Sequence, residues 1–200
     1  MTIPKPSTRR KELISIAANL FKKHSFDRTS VRMLAAACHL KSGSLFHHFK
    51  DKQEILMAVI EDGLSTSLQQ IKKETQHIEN THEQLLALIT CHLNNIHGDK
   101  KDAHIVSITE WKFLSDPAKE HLINCRDEYE QYWQHVISKA VNEKILLGDP
   151  NLIRLFIIGS LNWTIQWFKP SRGLNIDNLA KQFYQTLFQH SLQAVKPPSS

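Results

Sequence analysis

The sequence predicts an all-α protein of about nine helices, with a three-helix N-terminal unit followed by a larger helical domain. Three observations support this prediction. Apolar residues recur every three or four positions along most of the chain. Capping residues or Asp-Pro pairs stand before several of these stretches. Only 6 glycines and 7 prolines occur in 200 residues, which leaves little room for the many turns of a β protein.

The composition is that of an ordinary globular chain, with 41% hydrophobic and 22% charged residues. No apolar run approaches the ~20 residues that a membrane span needs. The first residues lack the apolar stretch of a secretory signal. The three cysteines, Cys38, Cys91 and Cys125, lie far apart and form no CxxC pair, which argues against a disulfide framework or a zinc ribbon. We therefore expect a cytoplasmic chain with no membrane partner.

The positive charge is concentrated in the first quarter of the chain, although the whole sequence carries a net charge of only +5. Residues 1–54 hold 11 basic and 4 acidic side chains, a net of +7, whereas residues 55–200 hold 14 and 16, a net of −2. A basic segment on a mildly acidic body is typical of proteins that bind a polyanion. A solvated basic surface with no partner explains the charge alone equally well.

Residues 9–54 read as three short helices and the start of a fourth. The first carries an apolar stripe over 13–21 and is broken by SFDRTS. Thr29 or Ser30 can cap the second, and the third, short helix is expected over 42–49. The sequence DKQE at 51–54 has the spacing of a capping box and begins the fourth helix.

The rest of the chain reads as longer helices. Thr81 with Gln84 forms a second capping-box pattern, and a further helix is expected over about 103–114. Asp-Pro pairs at 116–117 and 149–150 start two more, the first ending before Gly148. The helix 151–168 is apolar on most sides and must be buried on several of them. A last helix follows over about 177–192, so we divide the chain into domains 9–54 and 55–193, with flexible tails at 1–8 and 194–200.

Two short helices joined by a three-residue turn, within a basic segment, meet the requirements of a helix-turn-helix. Leu34 of the first helix is expected to pack against Leu45 and Phe49 of the second. The polar residues left outside can donate to base edges or phosphates. Gly43 lets the backbone approach a duplex, and Lys52, in the first turn of the next helix, suits a phosphate contact.

The stretches TSVRMLA at 29–35 and LKSGSLFHHFKDK at 40–52 resemble the TetR family pattern T-x-R-x-I-A, a turn, then V-S-x-G-S-L-Y-x-H-F-x-x-K. The resemblance implies a nine-helix, homodimeric transcriptional repressor that an inducer releases from a palindromic DNA operator. By position, it implies that the side chains facing bases are Lys41, Ser42, Ser44 and His47, that those along the phosphates are Thr29, Phe46, His48 and Lys52, and that Arg32 and Gly43 complete the DNA-binding set.

Two departures from the family pattern concern the turn and one phosphate contact. His39 stands in place of the turn glycine, where a left-handed backbone is expected, and His is among the residue types that tolerate it. Phe46 replaces the usual tyrosine and has no hydroxyl to donate to a phosphate. That departure leaves one backbone contact open but does not affect the fold.

The segment NWTIQWFKP at 162–170 is similar to the N-W-x-x-x-W-[YF]-[RK]-P end of family members that resemble fatty-acid and steroid-degradation repressors, which respond to acyl-CoA thioesters. The resemblance implies a small hydrophobic inducer, with an acyl-CoA thioester as a candidate. Basic side chains that could meet the CoA phosphates are Lys112, Arg126, Arg154, Lys169 and Arg172. An alternative interpretation makes the aromatic residues of this segment dimer core.

An inducer pocket is expected among the middle helices, because a mostly apolar cavity with a few polar groups is the usual small-molecule site. The predicted lining residues are Leu88, His92, Ile108, Trp111, Phe113, Tyr129, Trp133 and Trp163. The alternative interpretation is that His92 is a core residue with satisfied hydrogen bonds and that the aromatic cluster belongs to the core.

The helices 151–168 and 177–192 together expose more apolar surface than one chain can cover. Pairing with a second copy would build a four-helix bundle at a two-fold axis. The predicted interface residues are Phe156, Ile157, Trp167, Phe183 and Leu187. Two reading helices would then lie about 34 Å apart, one turn of duplex.

Metal and catalytic motifs are missing from the sequence. It has no HExxH pair and no glycine-rich phosphate loop, and His47-His48 and Cys91-His92 point to different sides of their helices. We therefore expect no enzyme, no metal and no cofactor, and a ligand-responsive repressor in which inducer binding shifts the fourth helix. A transcriptional activator of the same fold, or a helical carrier or enzyme with an incidental basic N-terminus, remain as alternatives.

Overall fold

A computed structural model of the chain describes residues 8–99, 101–170 and 174–193, with side chains up to residue 187 in the last range. Within these ranges the fold is all α, as predicted. The helices are α1 (Thr8–Arg28), α2 (Val31–Ala37), α3 (Ser42–Leu45), α4 (Lys52–Thr75), α5 (Thr81–His97), α6 (Lys101–Thr109), α7 (Asp116–Asn142), α8 (Pro150–Trp167) and α9 (Ile176–Gln193), with a 3₁₀ turn at Trp111–Phe113. Apart from Thr8, the predicted tails 1–8 and 194–200 lie outside the described residues.

The chain forms two compact units, and each combines segments that are distant in sequence. The first unit consists of Met1–Thr66 with Lys100–Asp127, and the second of Ser67–Asp99 with Glu128–Ser200. The helices α4 and α7 each contribute residues to both units. This division differs from the boundary that we expected at residue 54, because the segment 101–127 packs into the core of the first unit.

The core of the first unit explains why that segment belongs to it. Leu13, Phe21 and Leu34 are almost completely buried in one cluster with Val106 and Leu122, which come from α6 and α7. Each fully buried side chain of this size contributes about 1.5–3 kcal/mol to the free energy of unfolding. The second unit has its own core, in which α5 packs against α8 and α9.

Several predicted helix starts are confirmed. The Ser30 side chain accepts the Met33 N–H at 3.2 Å and caps α2. Asp51 accepts the Glu54 N–H at 2.8 Å before α4. Asp149 accepts the N–H groups of the second and third residues of α8, whose first residue is a proline. These short side chains satisfy amide groups that a helix start leaves unpaired.

Other local predictions need correction. The cap of α5 is Asn80 instead of Thr81, since the Asn80 side chain accepts the Glu83 N–H at 3.1 Å. The third helix ends at Leu45, and 46–48 form a turn. The helix expected over 103–114 is split into α6 and the 3₁₀ turn, and α7 begins at Asp116 itself. Its end at Asn142 agrees with the expectation that this helix ends before Gly148. The expected break after α1 occurs as a kink at Ser25 within the helix.

Candidate functional site

The turn between α2 and α3 depends on the backbone of His39, whose φ of 54° lies in the left-handed region. The His39 N–H donates to the Ala36 carbonyl at 3.0 Å, and the Leu40 N–H donates to the Ala35 carbonyl at 2.8 Å. These bonds satisfy the last carbonyls of α2 and turn the chain sharply into α3. The left-handed residue predicted at His39 is therefore confirmed.

The inner surface of the α2–turn–α3 segment packs as predicted. Leu34, Leu45 and Phe49 are each no more than 2% exposed. The guanidinium of Arg10 lies 4.7 Å from the centre of the Phe49 ring and donates to Glu54 at 3.3 Å. Apolar packing and this cation–π contact together fix the orientation of α3.

The outer surface of the same segment is polar and open. Arg32, Lys41, Ser42, Gly43 and His47 are exposed, whereas two further predicted DNA-binding residues at 44 and 48 are half-buried. Phe46 is 46% exposed, beside the polar groups. The structure thus presents most of the predicted reading side chains on one short surface, which we call the α3 surface (residues 41–48).

Gly43 has no role in packing that the described residues reveal. A Cβ placed on it would meet no heavy atom within 4 Å, and its backbone does not require a positive φ. The protein itself therefore tolerates a larger residue at this position. A glycine at an exposed helix start is consistent with close approach by an external partner.

Lys52 lies in a defined position at the start of α4. Its ammonium donates to the carbonyls of Phe26 and Thr29 at 3.0 and 3.1 Å and lies 4.1 Å from the centre of the Phe26 ring. Because a lysine ammonium carries three donors, one N–H stays available for a phosphate. The predicted phosphate contact of Lys52 is untested and stays a prediction.

The structure contradicts the phosphate role predicted for Thr29. This residue is fully buried, and its hydroxyl donates to the Ser25 carbonyl at 2.7 Å. A side chain without exposed surface cannot reach a phosphate, so the prediction was wrong. Thr29 instead stabilises the connection between α1 and α2.

In the second unit, four of the predicted lining residues lie in α5 and α7: Leu88, His92, Tyr129 and Trp133. All four are buried. The imidazole Nδ1 and Nε2 of His92 lie 2.6 Å from the Tyr129 hydroxyl and 2.9 Å from the Asn162 amide oxygen. Burial lowers the pKa of His92 to about 4 and raises the pKa of the Tyr129 hydroxyl. Because both ring nitrogens have partners, the core interpretation of His92 is favoured.

The other predicted lining residues lie elsewhere. Ile108, Trp111 and Phe113 belong to the first unit. On α8, Trp163 and Phe156 are each 66% exposed, and Trp167 is 44% exposed. With Leu152 and Leu155, these residues form an exposed apolar surface, which we call the α8 surface (residues 152, 155, 156, 163 and 167).

Among the predicted interface residues, Phe156 and Trp167 lie on the α8 surface, and Phe183 and Leu187 of α9 are half-buried. Ile157 is only 2% exposed and belongs to the core of the second unit. It has almost no surface to offer a second copy, so its prediction as an interface residue was wrong. On a helix that is apolar on most sides, sequence alone does not tell the buried face from the exposed one.

The basic side chains considered for CoA phosphates differ in availability. Arg154 donates to Gln134 at 2.9 Å and to Glu130 at 2.6 Å. The guanidinium of Arg126 lies 4.9 Å from the centre of a Trp111 ring. Lys112 and Lys169 are exposed, and Arg172 lies outside the described residues.

The described residues contain no group of three His, Cys, Asp or Glu side chains that could hold a metal ion. In the same ranges, no helix combines the length and apolar character that crossing a bilayer requires.

Residues that sequence reasoning missed lie at the end of α1. Ser25 and Phe26 both donate to the buried carboxylate of Glu110, which follows α6. The partners are 84 and 85 positions apart in sequence. No local pattern marks such a pair, because a lone glutamate at the end of a helix is ordinarily exposed.

Comparison with known proteins identifies both parts of the chain. Residues 13–59 match a family model described as bacterial regulatory proteins, tetR family, and residues 79–190 match a model described as tetracyclin repressor-like, C-terminal domain. The HTH-type transcriptional repressor KstR2 of Mycolicibacterium smegmatis is 26% identical over 91% of this chain and 90% of its own length.

Solved structures share the fold. AibR in complex with isovaleryl coenzyme A and operator DNA superposes with a TM-score of 0.84 at 23% identity, covering 90% of this chain and 98% of AibR. Superantigen PfiT superposes with a TM-score of 0.78 at 36% identity, covering 92% of this chain and 98% of PfiT.

Proposed function

Because the chain belongs to the TetR family of bacterial regulatory proteins, we propose that it is a ligand-responsive transcriptional repressor that binds a palindromic DNA operator as a homodimer. Binding to DNA implies that it acts in the cytoplasm. One observation carries the DNA-binding part of this proposal. The α3 surface holds Lys41, Ser42 and His47 exposed on a rigid, well-packed support, beside a glycine that the fold does not need.

The chemistry of that surface suits a duplex. Lysine can donate to guanine acceptors in the major groove, while serine and histidine can donate to bases or phosphates. Lys52, already positioned by two carbonyls, retains a donor for the backbone. In this proposal, side chains at 41–47 contact the bases and residue 52 contacts the DNA backbone, which is the arrangement of a helix-turn-helix.

Selection from a random-sequence pool of duplexes tests this proposal. The purified chain is expected to enrich a palindrome whose half-sites lie about one helical turn apart. A pool that stays unenriched after repeated rounds would contradict DNA reading. Deletion of the gene is expected to raise a reporter driven by the recovered operator, whereas a fall would support the activator alternative.

The homodimer proposal rests on the α8 surface. Two leucines and three aromatic residues expose 44–67% of their surface there. Together they leave roughly 600 Å² of apolar surface, at or above the largest patch on a typical monomer. A second copy would cover it by pairing α8 and α9 of each chain.

Sedimentation velocity tests the dimer. Wild type is expected to sediment as a dimer, and Phe156→Glu as a monomer, because the variant would bury a charge at the centre of the interface. Ile123→Glu is the matched control, since Ile123 is 42% exposed on α7 outside the α8 surface. A monomeric wild type, or equal effects of the two variants, would contradict the assignment.

We propose a small hydrophobic inducer, with an acyl-CoA thioester as the first candidate. The segment 162–170 and the fold shared with AibR, which was solved in complex with isovaleryl coenzyme A, support this choice. In a thermal-shift screen, acyl-CoA thioesters are expected to raise the melting temperature, since a ligand at 100 times its Kd adds about 2.7 kcal/mol. Coenzyme A alone and the free acids are the controls. Stabilisation by the free acids alone would overturn the CoA assignment.

The inducer is expected to release the operator by displacing α4, which contributes residues to both units. Asp51 and Glu54 hold the start of α4 through hydrogen bonds to backbone N–H groups. A displacement of α4 would therefore move the reading helix with it. A ligand that binds without changing operator affinity would count against this route.

A second candidate function follows from the 36% identity to superantigen PfiT. A T-cell proliferation assay with the purified chain tests it. Proliferation with no enrichment of any duplex would replace the repressor proposal, and enrichment without proliferation would remove the superantigen candidate.

A further inference from the structure

The helix α1 changes direction at Ser25, which has φ 66° and ψ 157°. Residues other than glycine rarely adopt this conformation, and it persists only where the surroundings hold it. The kink directs the last turn of α1 toward the start of α2. Interactions with neighbouring residues must therefore stabilise the backbone at Ser25.

A single carboxylate oxygen stabilises the backbone at Ser25 and Phe26. Glu110 Oε2 accepts the Ser25 hydroxyl at 2.7 Å and the Phe26 N–H at 2.8 Å. Glu110 is only 6% exposed. Hydrogen bonds to a charged acceptor of this kind are about twice as strong as those between neutral groups.

The segment held by Glu110 determines where α2 begins. The Phe26 carbonyl accepts the Thr29 N–H at 3.2 Å and the Lys52 ammonium at 3.0 Å. The Thr29 hydroxyl returns to the Ser25 carbonyl at 2.7 Å. The next residue is Ser30, the cap of α2. Residues 25–30 thus form a hydrogen-bonded corner between the end of α1 and the start of α2, while the other end of α2 is held by Arg9, which donates to the Cys38 carbonyl at 2.9 Å.

The other end of α6 is also fixed to α1. Asp102 accepts the Asn19 amide at 2.8 Å and the Lys22 ammonium. In addition, a Cβ on Gly63 of α4 would lie 2.5 Å from the Ala103 carbonyl oxygen, so α4 and α6 are in backbone contact. The position of Glu110 relative to α1 is therefore well defined.

We propose that Glu110 is a positioning residue for DNA reading: its carboxylate holds the strained kink at Ser25–Phe26 and so sets the orientation of α2 and α3. This inference rests on the proposed DNA-binding function. Glu110 itself lies off the α3 surface and need not touch DNA. Its loss is therefore expected to weaken recognition of a sequence more than attraction to phosphates.

The direct test compares Glu110→Gln and Glu110→Met with wild type on two fluorescent duplexes, one recovered by selection with wild type and one scrambled. Gln keeps a neutral oxygen acceptor, and Met keeps only a weakly accepting thioether sulfur. We expect a fall in affinity for the selected duplex of about fivefold for Gln and about twentyfold for Met. The affinity for the scrambled duplex should change less than twofold.

Electrostatics alone predicts the opposite sign. Each variant removes a negative charge, which by itself strengthens binding to a polyanion. Glu61→Gln is the matched control, because it removes the same charge from the same unit at a side chain near His121. The control is expected to bind both duplexes as well as wild type or better.

Relief of the backbone strain at residue 25 provides a second test of the proposal. Glycine adopts the backbone of residue 25 without strain, so Ser25→Gly combined with Glu110→Gln is expected to recover most of the lost affinity. Hydrogen exchange should quicken at amides 26–34 in Glu110→Gln and slow again in the double variant. Faster exchange at these amides is the signature of a released kink.

The outcomes separate the two proposals. Unchanged binding by Glu110→Gln, an equal loss on both duplexes, or no rescue by Ser25→Gly would overturn the positioning role while wild-type binding stands. Failure of wild type to enrich any duplex would overturn the proposed function and the role of Glu110 in DNA reading together.

Discussion

The α3 surface of the first unit and the surroundings of His92 in the second unit use polar side chains in opposite ways. On the α3 surface, Lys41, Ser42 and His47 are exposed above a tightly packed apolar layer. In the second unit, His92 is turned inward, 1% exposed, with a hydrogen-bond partner on each ring nitrogen. Polar residues are thus open to solvent on the α3 surface, whereas His92 is held by internal hydrogen bonds.

The difference has an energetic consequence. An exposed polar side chain can be replaced at little cost to folding, whereas removing one member of a buried network leaves its partners unpaired. We therefore expect substitutions on the α3 surface to change DNA binding but not stability. Substitutions around His92 should change stability but not the DNA contacts themselves.

The largest effect is expected for His92→Leu. The substitution leaves the Tyr129 hydroxyl and the Asn162 amide without their partner, and should lower the free energy of unfolding by about 4 kcal/mol. Urea denaturation measures it, with Tyr129→Phe as a milder comparison near 1 kcal/mol. A loss below 1 kcal/mol for His92→Leu would break the contrast between the units.

Acid should destabilise the protein through the same histidine. Burial lowers the pKa of His92 to about 4 in the folded state, while the unfolded chain takes up the proton near pH 6.5. The unfolded state therefore binds more protons between these values, and stability falls as the pH drops from about 6.5 to 4, by about 3 kcal/mol. Above pH 6.5 the contribution is fully present.

Denaturation curves at pH 7, 5.5 and 4 measure this dependence. The difference between wild type and His92→Leu is expected to shrink toward pH 4, because only wild type carries the histidine. Parallel pH profiles for the two proteins would show that other groups cause the acid sensitivity.

Gly43→Ala should separate binding from stability. A methyl group at this position meets no atom of the described residues, so the melting temperature should stay the same or rise slightly. Affinity for the selected duplex should fall about tenfold, roughly 1.4 kcal/mol, because the methyl holds the backbone away from DNA. Unchanged affinity would mean that α3 does not approach a duplex closely.

The smallest expected effects distinguish residues that contact bases from residues that contact phosphates. Lys52→Ala is expected to weaken binding to all duplexes by a similar factor, about threefold, and to reduce the salt dependence. Because the Lys52 ammonium also donates to the Phe26 and Thr29 carbonyls, the variant is expected to melt at a lower temperature as well. Ser44→Ala and Lys41→Ala should instead relax the preference at single base pairs. Titrations against a set of single-base-pair variants measure both. Equal relaxation by all three substitutions would contradict these roles.

Sequence predicted those features that neighbouring residues determine. Ser30 and Asp149 are short polar side chains that precede apolar stretches, and both cap helices. The left-handed backbone of His39 was expected because this residue stands in place of the turn glycine of the family pattern. The α3 surface also followed from a local pattern. Each of these signals lies within about four residues, where side chain and backbone meet directly.

Other features depend on contacts between distant residues and were missed. Glu110 reaches Phe26 across 84 positions, and the segment 101–127 joins the N-terminal unit through apolar residues that look like any helix core. Thr29 resembled a phosphate contact by position but is buried by its surroundings. On α8, Ile157 and Trp163 are both apolar, and only tertiary packing separates the buried residue from the exposed one.

The most direct test of the account is a fluorescence titration of the selected and scrambled duplexes with wild type at 50 and 200 mM salt. Tighter binding to the selected duplex by at least about 1,000-fold is expected, with both affinities falling steeply as salt rises because phosphate contacts release counterions. Equal affinity for the two duplexes, or no binding at 50 mM salt, would contradict the assignment of the α3 surface to DNA reading.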